Sequence, residues 1–181
     1  IGTIDHVVGS TLIRAMFVRF HEGLILGPWV DLAAATMVDP DTSWSVHLVA
    51  RGPKETVVTR NFRLVGETSH ERLETANRVF DAARTLIGAF ARGRVPYLPK
   101  TSAQMVRKEA AECRRIFDEE MAQSKVARFV YDQTPWDEFL AERPLLGDPI
   151  IGEGSTSRAH QIATFIWSHV DATIVMARDA E

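Results

Sequence analysis

Residues 3–20, which read TIDHVVGSTLIRAMFVRF, decide the fold of this chain. Two apolar stretches, TIDHVV and LIRAMFVRF, flank Gly9 and Ser10, whose small side chains permit the tight turn of a β-hairpin. A helix is predicted to follow over about 26–37, LGPWVDLAAATM, because Pro28 falls in its first turn, where a missing N–H is tolerated. A hairpin followed by a helix predicts the beginning of an α/β domain.

The next segments predict a mixed sheet flanked by helices. WSVHLVAR (44–51) and ETVVTRNFRLV (55–65) alternate apolar and polar residues, as half-buried strands do, so the sheet should have at least four strands. From Thr68 the spacing becomes helical, with a capping box between Thr68 and Glu71 and a stop at Gly93. The apolar face of this helix is predicted to consist of Leu73, Ala76, Phe80, Ala83, Ile87 and Phe90.

The second half of the chain is predicted to be mainly helical. RVPYLPKT (94–101) should be an extended connector, because it contains two prolines, and a long solvated helix should begin near Thr101, with Gln104 completing a second capping box. The predictions for the remaining segments are an extended ARFVYD (127–132), a short helix or turn in PWDEFLAERP (135–144), a loop in GDPIIGEGSTS (147–157), and a helix over about 157–177 that buries Ile162, Ile166, Trp167 and Val170.

Length and composition predict one domain, residues 1–181, with a core over 1–93 and a helical extension over 94–181. A chain of 181 residues with 45% hydrophobic content can bury roughly two-thirds of its unfolded surface. Because a strand-like segment begins almost at Ile1, we expect a domain excised from a larger polypeptide.

Charge and cysteine content narrow the class of protein. The formal net charge of -3 gives no global basic field, so any DNA contact must be local. The single Cys113 cannot form an internal disulfide, which fits a reducing cytoplasm. The apolar runs are far shorter than the ~20 residues that span a bilayer, so no membrane insertion is expected.

The opening hairpin and helix also resemble the core of the PD-(D/E)XK nucleases. In these enzymes an Asp on one strand and an acid-x-Lys on the next bind magnesium and activate water. Asp5 lies where the first acid belongs, but Phe17 replaces the second acid and Arg19 replaces the lysine. A phenyl ring offers no metal-binding oxygen, and an arginine, with a pKa above about 12, cannot transfer a proton. The sequence therefore predicts a catalytically degenerate domain with no metal and no cofactor.

Two further groups of residues are candidates for contacts with DNA or a partner protein. Arg84, Arg92, Arg94 and Lys100 form a predicted basic patch, although cations beyond a helix end also complement the helix dipole. Trp44 and Trp136 lie in polar surroundings, where exposed tryptophans anchor interfaces, although packing beneath loops is the alternative. The six histidines show no metal-ligand spacing, and neither a GxSxG elbow nor a phosphate-binding loop is present.

The order of several segments resembles the C-terminal domain of the exodeoxyribonuclease V gamma chain (RecC). These segments are FVRF (17–20), PWVDLAAATMVDPDTSW (28–44), PYLPKTSA (96–103), TPWDEFLAERP (134–144) and the IW pair at 166–167. The resemblance implies a non-catalytic, nuclease-like domain of the RecBCD helicase–nuclease, which processes double-strand DNA breaks for recombinational repair. It implies contacts with RecD, RecB and the rest of RecC, and a position along the path of the separated DNA strands.

Two other functions remain open from the sequence. The first is an active metal-dependent nuclease of the PD-(D/E)XK class that combines Asp5 with a displaced carboxylate, such as Asp31 or Glu22. The second is a free-standing DNA-binding protein, whose affinity should fall steeply with salt.

Overall fold

The computed structural model describes residue 4 and residues 6–131, 134–149 and 157–177. Over these residues the chain is an α/β protein with a five-stranded mixed sheet flanked by helices, as predicted. It divides into two compact units, one formed by residues 1–83 with 169–181 and the other by residues 84–168. The boundary between residues 83 and 84 lies within the helix that precedes Gly93. The predicted subdivision at Gly93 stays a prediction.

The sheet of the first unit has its strands in sequence order. These are β1 (Val7–Val8), β2 (Thr11–Arg19), β3 (Ser45–Arg51), β4 (Val57–Leu64) and β5 (Ile174–Met176). The predicted hairpin is confirmed, with Val8 opposite Thr11 and Gly9 at a φ of 58° in the turn. β2 and β3 are parallel, whereas β3 pairs with β4 and β4 with β5 in antiparallel register.

Parallel strands need a crossover connection, and α1 (Leu26–Val38) supplies it between β2 and β3. The helix buries Trp29, Leu32 and Ala33. In β3 the buried residues alternate with partly exposed ones, so one face of the sheet supplies the apolar core. The core residues from the strands are Leu12, Val46, Leu48, Ala50, Phe62, Leu64 and Ile174.

The helix predicted from Thr68 is α2 (Ser69–Ala91), and its capping box is confirmed. The Glu71 carboxylate accepts hydrogen bonds from the Thr68 and Glu67 amides, and the Thr68 hydroxyl accepts one from the Glu71 amide. The predicted apolar face is wrong in part, because Ile87 is 68% and Phe90 52% exposed. The buried residues of α2 are Thr75, Ala76, Val79, Ala82 and Ala89, so the inward stripe is rotated towards small side chains that permit close packing.

The second unit contains more helices than predicted. α3 (Pro99–Met105) and α4 (Ala110–Gln123) replace the single long helix expected from Thr101. α5 (Lys125–Tyr131) covers most of ARFVYD, which is therefore not extended. α6 (Trp136–Ala141) confirms the predicted short helix.

The end of the chain also differs from the prediction. α7 (Arg158–Thr173) buries all four residues expected of it, but it stops before the predicted end, and β5 follows at once. The segment 174–176 pairs with β4, and this long-range pairing overrides local helical preference. Most of the predicted loop over 147–157 lies outside the described residues. Within those residues, no helix combines the length and apolar character needed to cross a bilayer.

Aromatic packing forms the core of the second unit. The Phe117 ring centroid lies 5.2 Å from that of Trp136 and 5.0 Å from that of Phe139, and Tyr131 meets Phe139 edge-on at 5.7 Å. Of the two alternatives for Trp136, an exposed interface residue or a packed one, the structure has the packed one, because only 6% of the residue is exposed. α4 is not merely a solvated helix either, since it contributes Cys113, Phe117 and Met121 to this core.

The one-sided burial of the sheet predicts a sharp contrast between neighbouring residues of β3. Leu48→Ala should lower the free energy of unfolding by about 2–5 kcal/mol, because Leu48 is fully buried and the substitution leaves a cavity. Val49→Ala, on the opposite and partly exposed face, should lower it by about 1 kcal/mol or less. Urea unfolding of both variants measures the difference, and equal losses would contradict a core on one face.

Candidate functional site

A β-bulge at the end of β2 determines where Phe17 points. The register runs from Met16 opposite Ala50 directly to Arg19 opposite Arg51, so Phe17 and Val18 are additional residues on β2. Bulges redirect side chains, and here the Phe17 side chain points into solvent, with the residue 98% exposed. The position that the sequence analysis compared with the second acid of the nucleases therefore carries a solvated phenyl ring.

Arg19 and Arg51 lie beside each other just after the bulge. Their Cα atoms are partners in the parallel register, and neighbouring strands are about 4.8 Å apart. Both residues are exposed. Within the part of the chain that the structure describes, neither side chain makes an ion pair or hydrogen bond. Two adjacent guanidinium groups repel a divalent cation and attract an anion. Asp5, the remaining acid of the predicted motif, lies outside the described residues.

Asp31 and Glu22, the two carboxylates that an active nuclease was predicted to use instead, both interact with other residues. Asp31 on α1 forms a 2.6 Å ion pair with Arg14 on β2. Glu22 begins a short 3-10 turn, Glu22–Ile25, is only partly exposed and has interaction partners of its own. Among the described residues, no three His, Cys, Asp or Glu side chains are grouped as metal ligands would be.

The same end of β2 borders an open face of the sheet, opposite the face that contacts α1. None of the side chains on this open face is buried, and none is a carboxylate. Polar pairs link the strands across it, with the Thr11 and Ser45 hydroxyls 3.0 Å apart and His47 hydrogen-bonded to Asn61. We define the open face as Thr11, Ile13, Ala15, Arg19, Ser45, His47, Val49, Arg51, Val57, Thr59, Asn61, Arg63 and Val175.

The predicted basic patch consists of side chains that contact their own chain. Arg92 donates to the Gly147 carbonyl, and Arg94 donates to the Val130 carbonyl at 3.2 Å while its guanidinium lies 5.2 Å from the Tyr131 ring centroid. Lys100 donates weakly to Gln123 at 3.4 Å, and Arg84 is exposed but also has a partner. These contacts give the arginines a structural role within the second unit.

Sequence reasoning missed a buried ion-pair network around Arg158, whose side chain is 1% exposed. Its Nε lies 2.6 Å from Asp148, and its Nη1 lies 2.8 Å from Glu142 and 2.5 Å from the Arg94 carbonyl. The network connects the start of α7 to the segment after α6 and to the connector after α2. No local motif marks these residues, because they come from positions far apart in the chain.

The Asp148 carboxylate is nearly buried, yet it remains ionised. Desolvation raises its pKa, but hydrogen bonds from Arg158 and from the Leu145 amide, together with the positive charge of Arg158, outweigh this and lower the pKa below its usual value. This carboxylate therefore stabilises the fold through its charge rather than offering a catalytic proton.

Glu120 is a second buried acid that the sequence did not reveal. It accepts hydrogen bonds from the Lys100 amide at 3.1 Å and from the amide and hydroxyl of Thr101, both at 2.8 Å. These contacts replace the predicted Thr101–Gln104 capping box, because the carboxylate of α4 satisfies the free amides at the start of α3.

Asp148→Asn should destabilise the chain by about 3–5 kcal/mol at neutral pH, because it leaves the buried Arg158 charge with only the more exposed Glu142 as an acidic partner. A group whose pKa is lowered on folding stabilises above its unfolded pKa, and this stabilisation is lost as the pH falls through the folded pKa. The difference between wild type and Asp148→Asn should therefore shrink under acid. Unfolding measured across pH tests this, with the more exposed Glu142→Gln as a milder control; a difference independent of pH would contradict it.

Comparison of the chain with known proteins identifies no relative. No family model, no curated protein and no solved structure matches it. Its function is therefore inferred from its own residues and from the resemblance in its sequence.

Proposed function

We propose that this chain is a non-catalytic, nuclease-like interaction domain related to the C-terminal domain of the exodeoxyribonuclease V gamma chain. In this role it holds the RecD helicase subunit beside RecB and the rest of RecC, in the cytoplasm. It lies along the DNA path while double-strand breaks are processed for recombinational repair.

The observation that carries the proposal is the chemistry at the end of β2. Phe17 is almost fully exposed at the position of the second acid, and Arg19 stands beside Arg51 at the position of the lysine. A phenyl ring and two cations disfavour a divalent metal ion, since magnesium requires oxygen ligands and a negative field. A domain with this hairpin is suited to contact other molecules rather than to cleave them.

The architecture supports the same proposal. A mixed sheet flanked by helices is what the resemblance implies, and the hairpin, crossover helix and following strands occur in the implied order. The ion pair between Arg14 and Asp31 adds to this, because it neutralises one of the two carboxylates that could replace the second acid. An active nuclease that used Asp31 would have to break this pair.

A cleavage assay tests the proposal that the chain does not cleave DNA. The full chain, with labelled single-stranded and duplex DNA and millimolar magnesium or manganese, should give no more product than a protein-free blank. Asp31→Asn and Glu22→Gln serve as matched variants, since they remove the alternative acids. Cleavage by the wild-type chain that either substitution abolishes would establish a nuclease and contradict the proposal.

A retention assay tests the proposal that the chain binds RecD. Immobilised chain should retain purified RecD subunit, and Lys125→Glu, an exposed charge reversal on α5, should retain it equally. Loss of RecD by Arg92→Glu or Arg94→Glu with an unchanged melting temperature would assign the contact to the basic patch. Retention by both would exclude the patch and leave the role intact, whereas no retention by the wild-type chain would contradict the role.

A further inference from the structure

We propose that the bulge and the adjoining open face bind a single-stranded nucleic acid directly, with a base stacked on Phe17 and phosphates contacted by Arg19 and Arg51. These residues are distinct from the basic patch of the second unit. The inference does not rest on the proposed function, because it concerns a surface of the first unit alone.

The exposed aromatic ring is the first element of this surface. Phe17 is 98% exposed, and the next residue along the strand, Val18, is 49% exposed. Val57, which lies opposite Arg51 on β4, is 69% exposed. A bulge holds the phenyl ring away from the sheet, so both of its faces are accessible. Every nucleobase has a π-face, and stacking on such a ring is strong and tolerant of sequence.

Unpaired positive charge is the second element. Arg19 and Arg51 make no ion pair among the described residues, and Lys54 lies in the turn that follows β3. The open face itself contains no carboxylate, although Glu55 is in the same turn as Lys54, and Arg63 at the other end of β4 is 3.5 Å from Glu67. In a chain of net charge -3 this is a local cationic area, which complements a phosphate backbone.

The polar side chains of the open face and the exposed Phe17 ring favour a single strand over a duplex. The Thr, Ser, His and Asn side chains of this face can hydrogen-bond to unpaired base edges. In a duplex the base faces are covered by neighbouring pairs, so Phe17 could contribute little. An acidic peptide would satisfy the arginines but would leave the phenyl ring without a stacking partner.

Fluorescence anisotropy with a short labelled oligothymidylate tests the proposal on the full chain. Phe17→Ala should weaken binding about tenfold, the usual effect of removing one base–aromatic stack. In Arg19→Ala/Arg51→Ala, the slope of log K against log salt between about 50 and 200 mM should fall by about 1.4, or about 0.7 per phosphate contact. All three residues are exposed, so none of these substitutions should lower the melting temperature.

The chain offers a matched control pair on α5. Phe129 is 89% exposed and adjoins the exposed Arg128, so Phe129→Ala and Arg128→Ala remove the same chemistry from another surface and should leave affinity unchanged. Equal weakening by Phe17→Ala and Phe129→Ala would overturn the proposal, as would equal affinity for a duplex or equal competition by polyglutamate.

Sedimentation tests for a contact between two copies of the chain. A dimer that Phe17→Ala dissociates, with no oligonucleotide binding, would identify such a self-contact and also overturn the proposal. RecD retention is measured separately, so each proposal can fail without the other.

Discussion

The parallel pairing of β2 with β3 is the constraint on which the first unit depends. Parallel neighbours cannot be joined by a tight turn, so the chain must cross the sheet, and α1 makes that crossing. Its Trp29, Leu32 and Ala33 are buried with the inward residues of the strands. Since α1 packs on one face of the sheet, the residues of the same strands that point to the other face remain at least partly exposed. This asymmetry creates the surface available for binding.

The bulge in β2 follows from the same arrangement. It changes the register so that Arg19 rather than Phe17 lies opposite Arg51, and it places the phenyl ring in solvent. Two like charges in neighbouring register cost stability, and a 98% exposed phenyl ring contributes no burial. Features that oppose folding in this way are typical of functional positions, where contacts outside the domain compensate for the local cost.

The sequence predicted the elements whose signals are local. The hairpin at Gly9, the helix containing Pro28 and the capping box of Thr68 and Glu71 all depend on neighbouring residues, and all are present. The errors lie where distant contacts decide, as where β5 pairs with β4 instead of continuing α7. Distant contacts also decided between the two alternatives for Trp136, which packs against Phe117 and Phe139. At the candidate site the unusual residues were predictable, but their exposure and register were not, because a bulge has no sequence signature here.

The two units illustrate different uses of arginine. In the second unit Arg158 is buried, and its hydrogen bonds to Asp148 and Glu142 offset the cost of removing its charge from water. In the first unit Arg19 and Arg51 remain hydrated and without partners among the described residues, so they can exchange water for an external anion at little cost. Burial and pairing, rather than residue type, therefore separate the arginines that stabilise this chain from those that can bind a ligand.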